Sequence, residues 1–247
     1  MAIYLKEFST HSEYEQYING SGAMLPNVSI CTTEGDVHYN PDPYGGHDYV
    51  EIGGLKWATM NVGATGVTDT GLYFQWGDVQ GYTADQVGSG EGQKYFGWAD
   101  YKYGNGTSSP GDTGMTKYNS TDGKTVLEAS DDAVVANWGG SWRMPTIAEY
   151  AVLGNVVNTA WTQVDGVYGM LCTDKNDPSK TLFFPACGYC SNGSVSNVGS
   201  YGRYWSSSRF SSNVIQYSEF LYFDSGSVYW NNSNYRCYGY PVRGIAD

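Results

Sequence analysis

The sequence predicts a mixed α+β domain that is rich in turns and packed by aromatic side chains. Glycine and tyrosine are abundant, with 33 and 23 of the 247 residues, whereas charged residues make up only 15%. From Asp48 onward, short apolar runs alternate with turns of Gly, Asp, Asn and Ser, and helical patterns are few. This composition and spacing favour strands with occasional helices over a helical bundle.

Residues 1–46 have the pattern of a small separate unit. Thr10 and Glu13 have the spacing of a capping box at the start of a short amphipathic helix. A turn at residues 34–36 then separates two stretches of alternating apolar residues, as in a β-hairpin. A helix and one hairpin bury too little apolar surface to be stable alone. We therefore expect this N-terminal docking segment to pack either on the main domain or on another protein.

Residues 47–247 are predicted to form one domain with two helices. A capping box at Thr146 and Glu149 starts one helix, and acidic residues open another between Asp131 and Trp138. Apolar runs predict strands at Tyr49 to Ile52, Lys56 to Asn61, Tyr73 to Trp76, Val167 to Thr173, Thr181 to Pro185, Gly202 to Ser207, Ile215 to Phe223, Val228 to Asn231 and Tyr240 to Ile245. The Gly-rich segment from Gln80 to Thr125 has little pattern, and we expect its aromatic residues to hold it in place, namely Tyr95, Phe96, Trp98, Tyr101 and Tyr103.

The charge balance limits the kinds of partner. The 13 Lys and Arg residues against 25 Asp and Glu give a formal net charge of -12. Nucleic acids and anionic membranes are bound through clustered basic residues, so neither is expected as a partner. The chain begins without the apolar core of an export signal and contains no run of about 18 apolar residues. We therefore expect synthesis in a bacterial cytoplasm and no membrane-spanning helix.

The composition between Gly188 and Tyr240 is the most informative feature of the chain. This stretch contains 13 Ser, 9 Tyr and 6 Asn and no Lys. Antibody binding loops use the same residue types, because Tyr offers a large stiff surface while Ser and Asn adapt their hydrogen bonds. A polar segment without order is the alternative, but apolar residues such as Trp205, Phe220 and Trp230 recur at spacings typical of strands. A binding surface on strands is therefore predicted.

Six segments carry a family resemblance in the order expected: GLKWATMNVGA (54–64), YFQWGD (73–78), ANWGGSWRMPTIAEY (136–150), LFFPACGY (182–189), GRYWSSS (202–208) and YGYPVRGI (238–245). They resemble the C-type-lectin-like domains of diversity-generating retroelement variable proteins and the related Fibrobacter-type paralogous domains. The resemblance implies a C-type-lectin-like fold of the formylglycine-generating-enzyme type. Residues 1–46 separately resemble the leader of structural proteins in Bacteroidales phages, which implies attachment to a virion.

The resemblance also implies which positions vary. In that family a reverse transcriptase copies a template with errors at adenines, which reaches Tyr, Ser, Asn, Asp, Arg, Cys and Phe but not Lys, Glu, Trp or Gln. Trp205, Gln216, Glu219 and Trp230 should then be fixed. The diversified, solvent-facing ligand-binding positions would be Cys190, Ser191, Tyr201, Arg203, Arg209, Phe210, Ser211, Ser212, Asn213, Tyr217, Tyr222, Asp224, Tyr229, Asn231, Asn232, Asn234, Tyr235, Cys237 and Tyr238.

The function that the resemblance implies is selective binding. The ligand would be a protein or glycan on a bacterial cell surface, and the chain would be displayed on a phage particle, with a homo-oligomer such as a trimer left open. A structural virion subunit that uses the Tyr-rich surface for assembly is the alternative of a different class.

An oxidase of the formylglycine-generating type is a third alternative, since those enzymes share the fold. They use a reactive cysteine pair near the C-terminus, whereas this chain has Cys237 alone there, and Cys190 lies far upstream. The five cysteines are expected to be mostly reduced thiols. The carboxylates at Asp131–Asp132 and Asp174–Asp177 could hold Ca²⁺, but helix N-terminal charge and a hairpin turn explain them better. No catalysis, metal or cofactor is therefore expected.

Overall fold

The computed structural model describes residues 46–107, 114–211 and 215–247. The chain divides between His47 and Asp48 into two units, and nearly all of the described residues belong to the second unit. The helix and hairpin predicted within residues 1–46 lie outside the described residues, as do the candidate positions Ser212 and Asn213.

The described residues form four small antiparallel sheets. Their strands are β1 (Tyr49–Ile52), β2 (Leu55–Asn61), β3 (Val157–Val164), β4 (Val167–Asp174), β5 (Thr181–Pro185), β6 (Tyr189–Ser191), β7 (Ser194–Ser196), β8 (Gly202–Arg209), β9 (Tyr217–Phe223), β10 (Val228–Tyr235) and β11 (Arg243–Ala246). The strand orders are β1-β2-β11, β3-β4-β5, β6-β7 and β10-β9-β8. The last strand therefore returns to pair with the second, which joins the two ends of this unit.

The predicted fold class is wrong. Within the described residues, two α-helices accompany the four antiparallel sheets, so the architecture is mostly β rather than α+β. Nothing in these sheets singles out the C-type-lectin-like fold. The helix content is low partly because of the weakly patterned segment between Gln80 and Thr125. Its described part contributes only 3-10 turns and isolated bridges to the secondary structure. In the C-terminal third, strands are the regular secondary structure of the described residues.

Both predicted helices of the main unit are confirmed. Helix α1 (Ala133–Trp138) begins at Asp132, whose side chain accepts hydrogen bonds from two backbone N–H groups of the first turn. Helix α2 (Ile147–Val156) begins at Thr146 in a complete capping box with Glu149. No helix in the described part of the chain has the length and apolar character needed to cross a membrane.

Most of the predicted strands are confirmed, namely β1, β2, β4, β5, β8, β9 and β10, whose apolar residues alternate or form short runs. The predicted segment from Tyr73 to Trp76 instead forms isolated bridges to Tyr82 and Tyr240. Strand β3 was not predicted, because it continues directly from helix α2 and most of its residues are exposed or half-buried. An edge strand of this kind has no apolar periodicity to reveal it.

The core lies between helix α2 and the sheets. The ring of Trp57 on β2 lies 5.5 Å from that of Tyr150 on α2, and Phe184 on β5 lies 5.2 Å from Tyr204 on β8. Arg243 on β11 is fully buried and donates hydrogen bonds to Asn61 and to the carbonyl groups of Ala58 and Phe183. These contacts fasten the C-terminal end of the chain to the middle of the core.

The Gly-rich segment is held partly as predicted. Phe96, Tyr101 and Tyr103 are buried and Trp98 is half-buried, whereas Tyr95 is 38% exposed. The hydroxyl of Tyr101 donates to the carbonyl of Trp76 at 3.0 Å. Aromatic packing therefore replaces regular secondary structure in this segment.

Candidate functional site

Half-buried aromatic side chains form a continuous band around the sheet β10-β9-β8. We call this band the aromatic strip, and its members are Tyr189, Tyr201, Phe210, Tyr217, Tyr222, Tyr229, Tyr235 and Tyr238, with Arg203 in the middle. All are half-buried except Tyr229, which is 53% exposed. Rings of this kind offer apolar surface to a partner while part of each ring is already fixed by packing.

One arm of the strip runs through the loops at the ends of the strands. The ring of Phe210 lies 6.2 Å from Tyr217, and Tyr217 lies 4.9 Å from Tyr235. Tyr235 lies 5.6 Å from Tyr238, which in turn lies 6.4 Å from Tyr189 on β6. Most of these distances fall in the range of favourable aromatic pairs, so the rings restrict one another.

The other arm crosses the sheet itself. Arg203, Tyr222 and Tyr229 are direct cross-strand partners on β8, β9 and β10. Directly opposed residues in antiparallel strands point to the same face, so these three side chains form one row. The ring of Tyr222 lies 5.9 Å from Tyr229 and 5.6 Å from Tyr201.

Arg203 connects the two arms. Its guanidinium carbon lies 3.9 Å from the ring centre of Tyr189 and 5.8 Å from that of Tyr222. Nη1 donates to the hydroxyl of Tyr240 at 3.2 Å, and the buried Nε has no hydrogen-bond partner. No ion pair of Arg203 occurs among the described residues. In the described part of the chain, the cation at the centre of the strip therefore lies against aromatic faces and has no carboxylate paired with it.

A carboxylate lies at the edge of the strip. The hydroxyl of Tyr222 donates to Oδ2 of Asp224 at 2.7 Å, and the backbone N–H groups of Gly226 and Ser227 donate to Oδ1. These hydrogen bonds, led by that from Tyr222, lower the pKa of Asp224. Burial and the neighbouring carboxylate raise the pKa of Tyr222. At neutral pH the strip therefore presents a neutral phenol beside a charged carboxylate.

The strip rests on buried residues that belong to the scaffold. Trp205 is fully buried, its ring stacks on Tyr240 with centroids 4.1 Å apart, and its Nε1 donates to the carbonyl of Phe74 at 2.9 Å. Glu219 and Trp230 are half-buried, and Trp230 packs against the core. The positions predicted to be fixed thus include the buried support of the strip.

Two of the predicted ligand-binding positions are wrong as solvent-facing sites. Cys190 and Cys237 are buried, with 0% and 1% of their surface exposed. Cys190 lies on β6, where it pairs with Gly239 across an isolated bridge, and the Phe96 ring packs beside that bridge. A small thiol is well suited to such a crowded position. The resemblance predicted these residues to face solvent from their place in the family pattern. That pattern does not show which side chains of a segment point to solvent and which point inward.

The other described candidates lie at the surface. Ser211, Tyr229 and Asn231 are exposed, and the rest are half-buried: Ser191, Tyr201, Arg203, Arg209, Phe210, Tyr217, Tyr222, Asp224, Asn232, Asn234, Tyr235 and Tyr238. Eight of them belong to the aromatic strip, and the other seven take no part in its ring contacts, namely Ser191, Arg209, Ser211, Asp224, Asn231, Asn232 and Asn234.

Sequence reasoning missed Tyr189, Trp161 and Tyr168. Tyr189 ends the segment LFFPACGY and contacts Arg203, but nothing in the sequence places β6 beside β8. Trp161 and Tyr168 stack at 5.7 Å on the hairpin β3-β4. With Tyr201 and Asp224 they line an open cleft of about 560 Å³ at the end of the strip. The sequence did not predict this cleft, because β3 has no apolar periodicity.

The surroundings of the cysteines and of the paired carboxylates disfavour oxidase chemistry and Ca²⁺ binding. Burial raises the pKa of Cys237 and of Cys190, so neither thiol is disposed to form the reactive thiolate that an oxidase needs. Asp132 caps helix α1, and the Asp174 side chain accepts from two N–H groups of the β4-β5 turn. In the described ranges, no group of three metal-ligating side chains occurs.

Comparison with known proteins gives one match. A family model described as a domain of unknown function, DUF8237, matches residues 172–244. No curated protein and no solved structure matches the chain. The matched residues contain the whole aromatic strip, and the family description assigns no activity to them.

Proposed function

We propose that this protein binds another macromolecule through the aromatic strip and catalyses no reaction. The observation that carries the proposal is the unbroken series of ring contacts with Arg203 at its centre. Tyr and Arg are the residue types enriched in the energetically dominant positions of protein interfaces. A surface in which they adjoin each other, half-buried and mutually packed, is already ordered before a partner arrives.

Binding through the strip depends more on the shape of the packed rings than on charge. The rings are partly immobilised by contacts of 4.9 to 6.4 Å, so association costs little side-chain entropy. Arg203 keeps an unpartnered buried Nε, and its charge is available to a carboxylate or carbonyl of the ligand. The half-buried Asn232 and Asn234 add adaptable hydrogen bonds beside the rings.

We further propose that the strip is the diversified face of a retroelement variable protein. Two observations support this. The candidate positions are mostly surface residues, whereas Trp205, which the copying chemistry cannot produce, is buried beneath them. The ligand would then be a protein or glycan on a bacterial cell, and residues 1–46 would attach the chain to a phage particle.

The direct test is binding to cells. The fluorescently labelled full chain is mixed with a panel of Bacteroidales strains and measured by flow cytometry. We expect at least one strain to bind the native chain, and the triple substitution Tyr217→Ser, Tyr222→Ser and Tyr229→Ser to reduce that binding at least tenfold, about 1.4 kcal/mol or more. The matched control is Tyr49→Ser on β1, an exposed tyrosine outside the strip.

The same variants distinguish assembly from ligand binding. Light scattering on the native chain and the triple variant gives their oligomeric states. If the strip binds an external ligand, the oligomeric state stays unchanged while cell binding is lost. If the triple variant dissociates an oligomer, the strip is an assembly surface and the proposal is wrong.

Diversification has its own test in DNA. We expect a reverse transcriptase gene near the coding sequence, together with a near-copy of the DNA for residues 188–240. The copy should differ from the coding sequence only where the copy has adenine. A locus without both features would refute diversification and leave ligand binding by the strip untouched.

A further inference from the structure

Two neighbouring arginines and a serine have buried polar atoms without hydrogen-bond partners. They are Nε and Nη1 of Arg209, Nη1 of Arg236 and Oγ of Ser218. Arg236 and Ser218 have 0% of their surface exposed, and Arg209 is half-buried. Buried polar atoms in proteins are nearly always hydrogen-bonded, so four such atoms in one place require an explanation.

The sheet brings these side chains to one place. Arg209 and Asn234 are both cross-strand partners of Ser218, so the three side chains lie on one face in a single row. Arg236 follows two residues after Asn234. The carbonyl of Tyr217 accepts hydrogen bonds both from Nε of Arg236 and from the backbone N–H of Phe210, each at 3.3 Å. The guanidinium of Arg236 and the backbone next to Arg209 therefore share one acceptor.

The two guanidinium groups repel each other. Burial lowers the pKa of Arg236, Tyr101 opposes this shift, and the positive charge of Arg209 adds to it. Neither arginine forms an ion pair among the described residues. The negative charge of Asp122 raises the pKa of Arg236 slightly, but the two side chains form no ion pair. The carboxylate of Asp122 instead accepts hydrogen bonds from backbone N–H groups, including those of Tyr118 and Asn119. A buried charge without a partner is strongly destabilising.

Arg236 is nonetheless held firmly in place. Its guanidinium carbon lies 4.9 Å from the centre of the Trp76 ring, and Nη2 donates to the carbonyl of Tyr118 at 3.0 Å. These contacts fix the orientation of the group and leave Nη1 unused.

We propose that Arg209, Arg236 and Ser218 form a binding site for a small oxyanion such as sulfate or a carboxylate. Guanidinium groups present paired N–H donors that match the oxygens of these anions, and the serine hydroxyl supplies a further donor. One anion would use the four unpartnered atoms and neutralise the repulsion between the two cations. The site goes beyond the proposed function, because it needs no contact with the partner of the aromatic strip.

The test is equilibrium dialysis of the full chain against radiolabelled sulfate at constant ionic strength, after removal of bound anions into chloride. We expect saturable binding of one sulfate per chain, with half-saturation below about 1 mM. Unlabelled acetate is then added as a competitor to compare a planar carboxylate with a tetrahedral anion. The absence of saturable sulfate binding at these concentrations would overturn the proposal.

Two variants locate the anion. Arg209→Met, which keeps an unbranched apolar stem and removes the guanidinium charge, should raise the Kd for sulfate at least tenfold. The matched control is Lys180→Met, which removes one positive charge from the turn between β4 and β5, and it should bind sulfate like the native chain. If Lys180→Met weakens sulfate as much as Arg209→Met, or if binding survives Arg209→Met, the site is wrong.

A third variant covers a failure to fold. Ser218→Ala removes one donor and no charge, and we expect it to keep the native near-ultraviolet circular dichroism while weakening sulfate at least threefold. Unchanged sulfate affinity in a folded Ser218→Ala variant would exclude the serine from the site. Cell binding is measured separately, so failure of the aromatic strip proposal does not affect this result.

Discussion

The tyrosines inside the molecule differ sharply from those of the aromatic strip. Inside, the hydroxyls of three tyrosines donate to fixed protein acceptors: Tyr73 to the carbonyl of Cys187, Tyr204 to that of Pro185 and Tyr118 to the carboxylate of Asp131, at 2.6 to 2.7 Å. In the strip, rings contact rings and remain half-exposed. The same residue type thus serves two purposes, and its surroundings decide which.

The difference is visible along a single strand. On β9, Leu221 and Phe223 point into the core, whereas Tyr222 between them joins the strip. Successive side chains of a strand point to opposite faces, so one strand contributes to stability and to the surface at once. Substitutions at neighbouring positions should therefore separate the two roles.

The largest expected effect is on a core tyrosine. Tyr204 is fully buried, and its ring lies 5.2 Å from Phe184 and 6.0 Å from Phe223. We expect Tyr204→Ala to lower the free energy of unfolding by about 3–5 kcal/mol, because it leaves a cavity where the ring was packed and removes the hydrogen bond from its hydroxyl to Pro185. Urea denaturation followed by tryptophan fluorescence measures this, and a loss below about 1 kcal/mol would break the distinction between core and strip.

The next largest effect is expected at Asp131, whose carboxylate accepts a hydrogen bond from the hydroxyl of Tyr118. Burial opposes charge on Asp131, but hydrogen bonds from Lys117, Tyr103 and other donors outweigh it, and its pKa is well below the ordinary value. Its contribution is therefore complete above about pH 4 and is lost as the pH falls. We expect Asp131→Asn to lower the free energy of unfolding at pH 7 by about 2 kcal/mol and to flatten its decline in acid.

The control for this carboxylate is Asp165→Asn. Asp165 is exposed in the turn between β3 and β4, in the left-handed region with φ of 48°, which asparagine also tolerates. The free energy of unfolding at pH 7 should be the same in this variant and in the native chain within about 0.5 kcal/mol. An Asp131→Asn variant with an unchanged pH profile would mean that Asp131 is not charged and paired as described.

A smaller effect is expected at the edge of the strip. Tyr222→Phe removes the hydroxyl that donates to Asp224 while keeping the ring. The pKa of Asp224 should rise toward its ordinary value, and stability should fall by less than about 1 kcal/mol because the site is open to solvent. A nuclear magnetic resonance titration of the carboxylate measures the first quantity. No change in the pKa of Asp224 would show that the hydrogen bond does not form in solution.

The smallest effect on stability is expected at Tyr229. It is 53% exposed, so Tyr229→Ser should change the free energy of unfolding by no more than about 0.5 kcal/mol. If the strip binds a ligand as proposed, the same substitution lowers cell binding several-fold. If Tyr229→Ser lowers stability and leaves cell binding unchanged, Tyr229 belongs to the core like Tyr204 and not to a binding surface.

How much could be predicted depended on the range of the signal. Capping boxes act within four residues, and Thr146 with Glu149 correctly placed helix α2. Apolar runs correctly placed β1 and β5, where buried and half-buried residues recur. Strand β3 and the fold class escaped prediction, because the pairing of β3 with β4 and the packing of the Gly-rich segment depend on distant partners.

Local composition and periodicity are sufficient to predict a Ser-, Tyr- and Asn-rich surface near the C-terminus, carried on strands with buried tryptophan, since they reflect which residues can be buried. The burial of Cys190 and Cys237, the contact between Tyr189 and Arg203, and the proximity of Arg209 to Arg236 emerge only in the folded molecule. Contacts between strands far apart in the chain depend on register and sheet order, and neither leaves a local mark on the sequence.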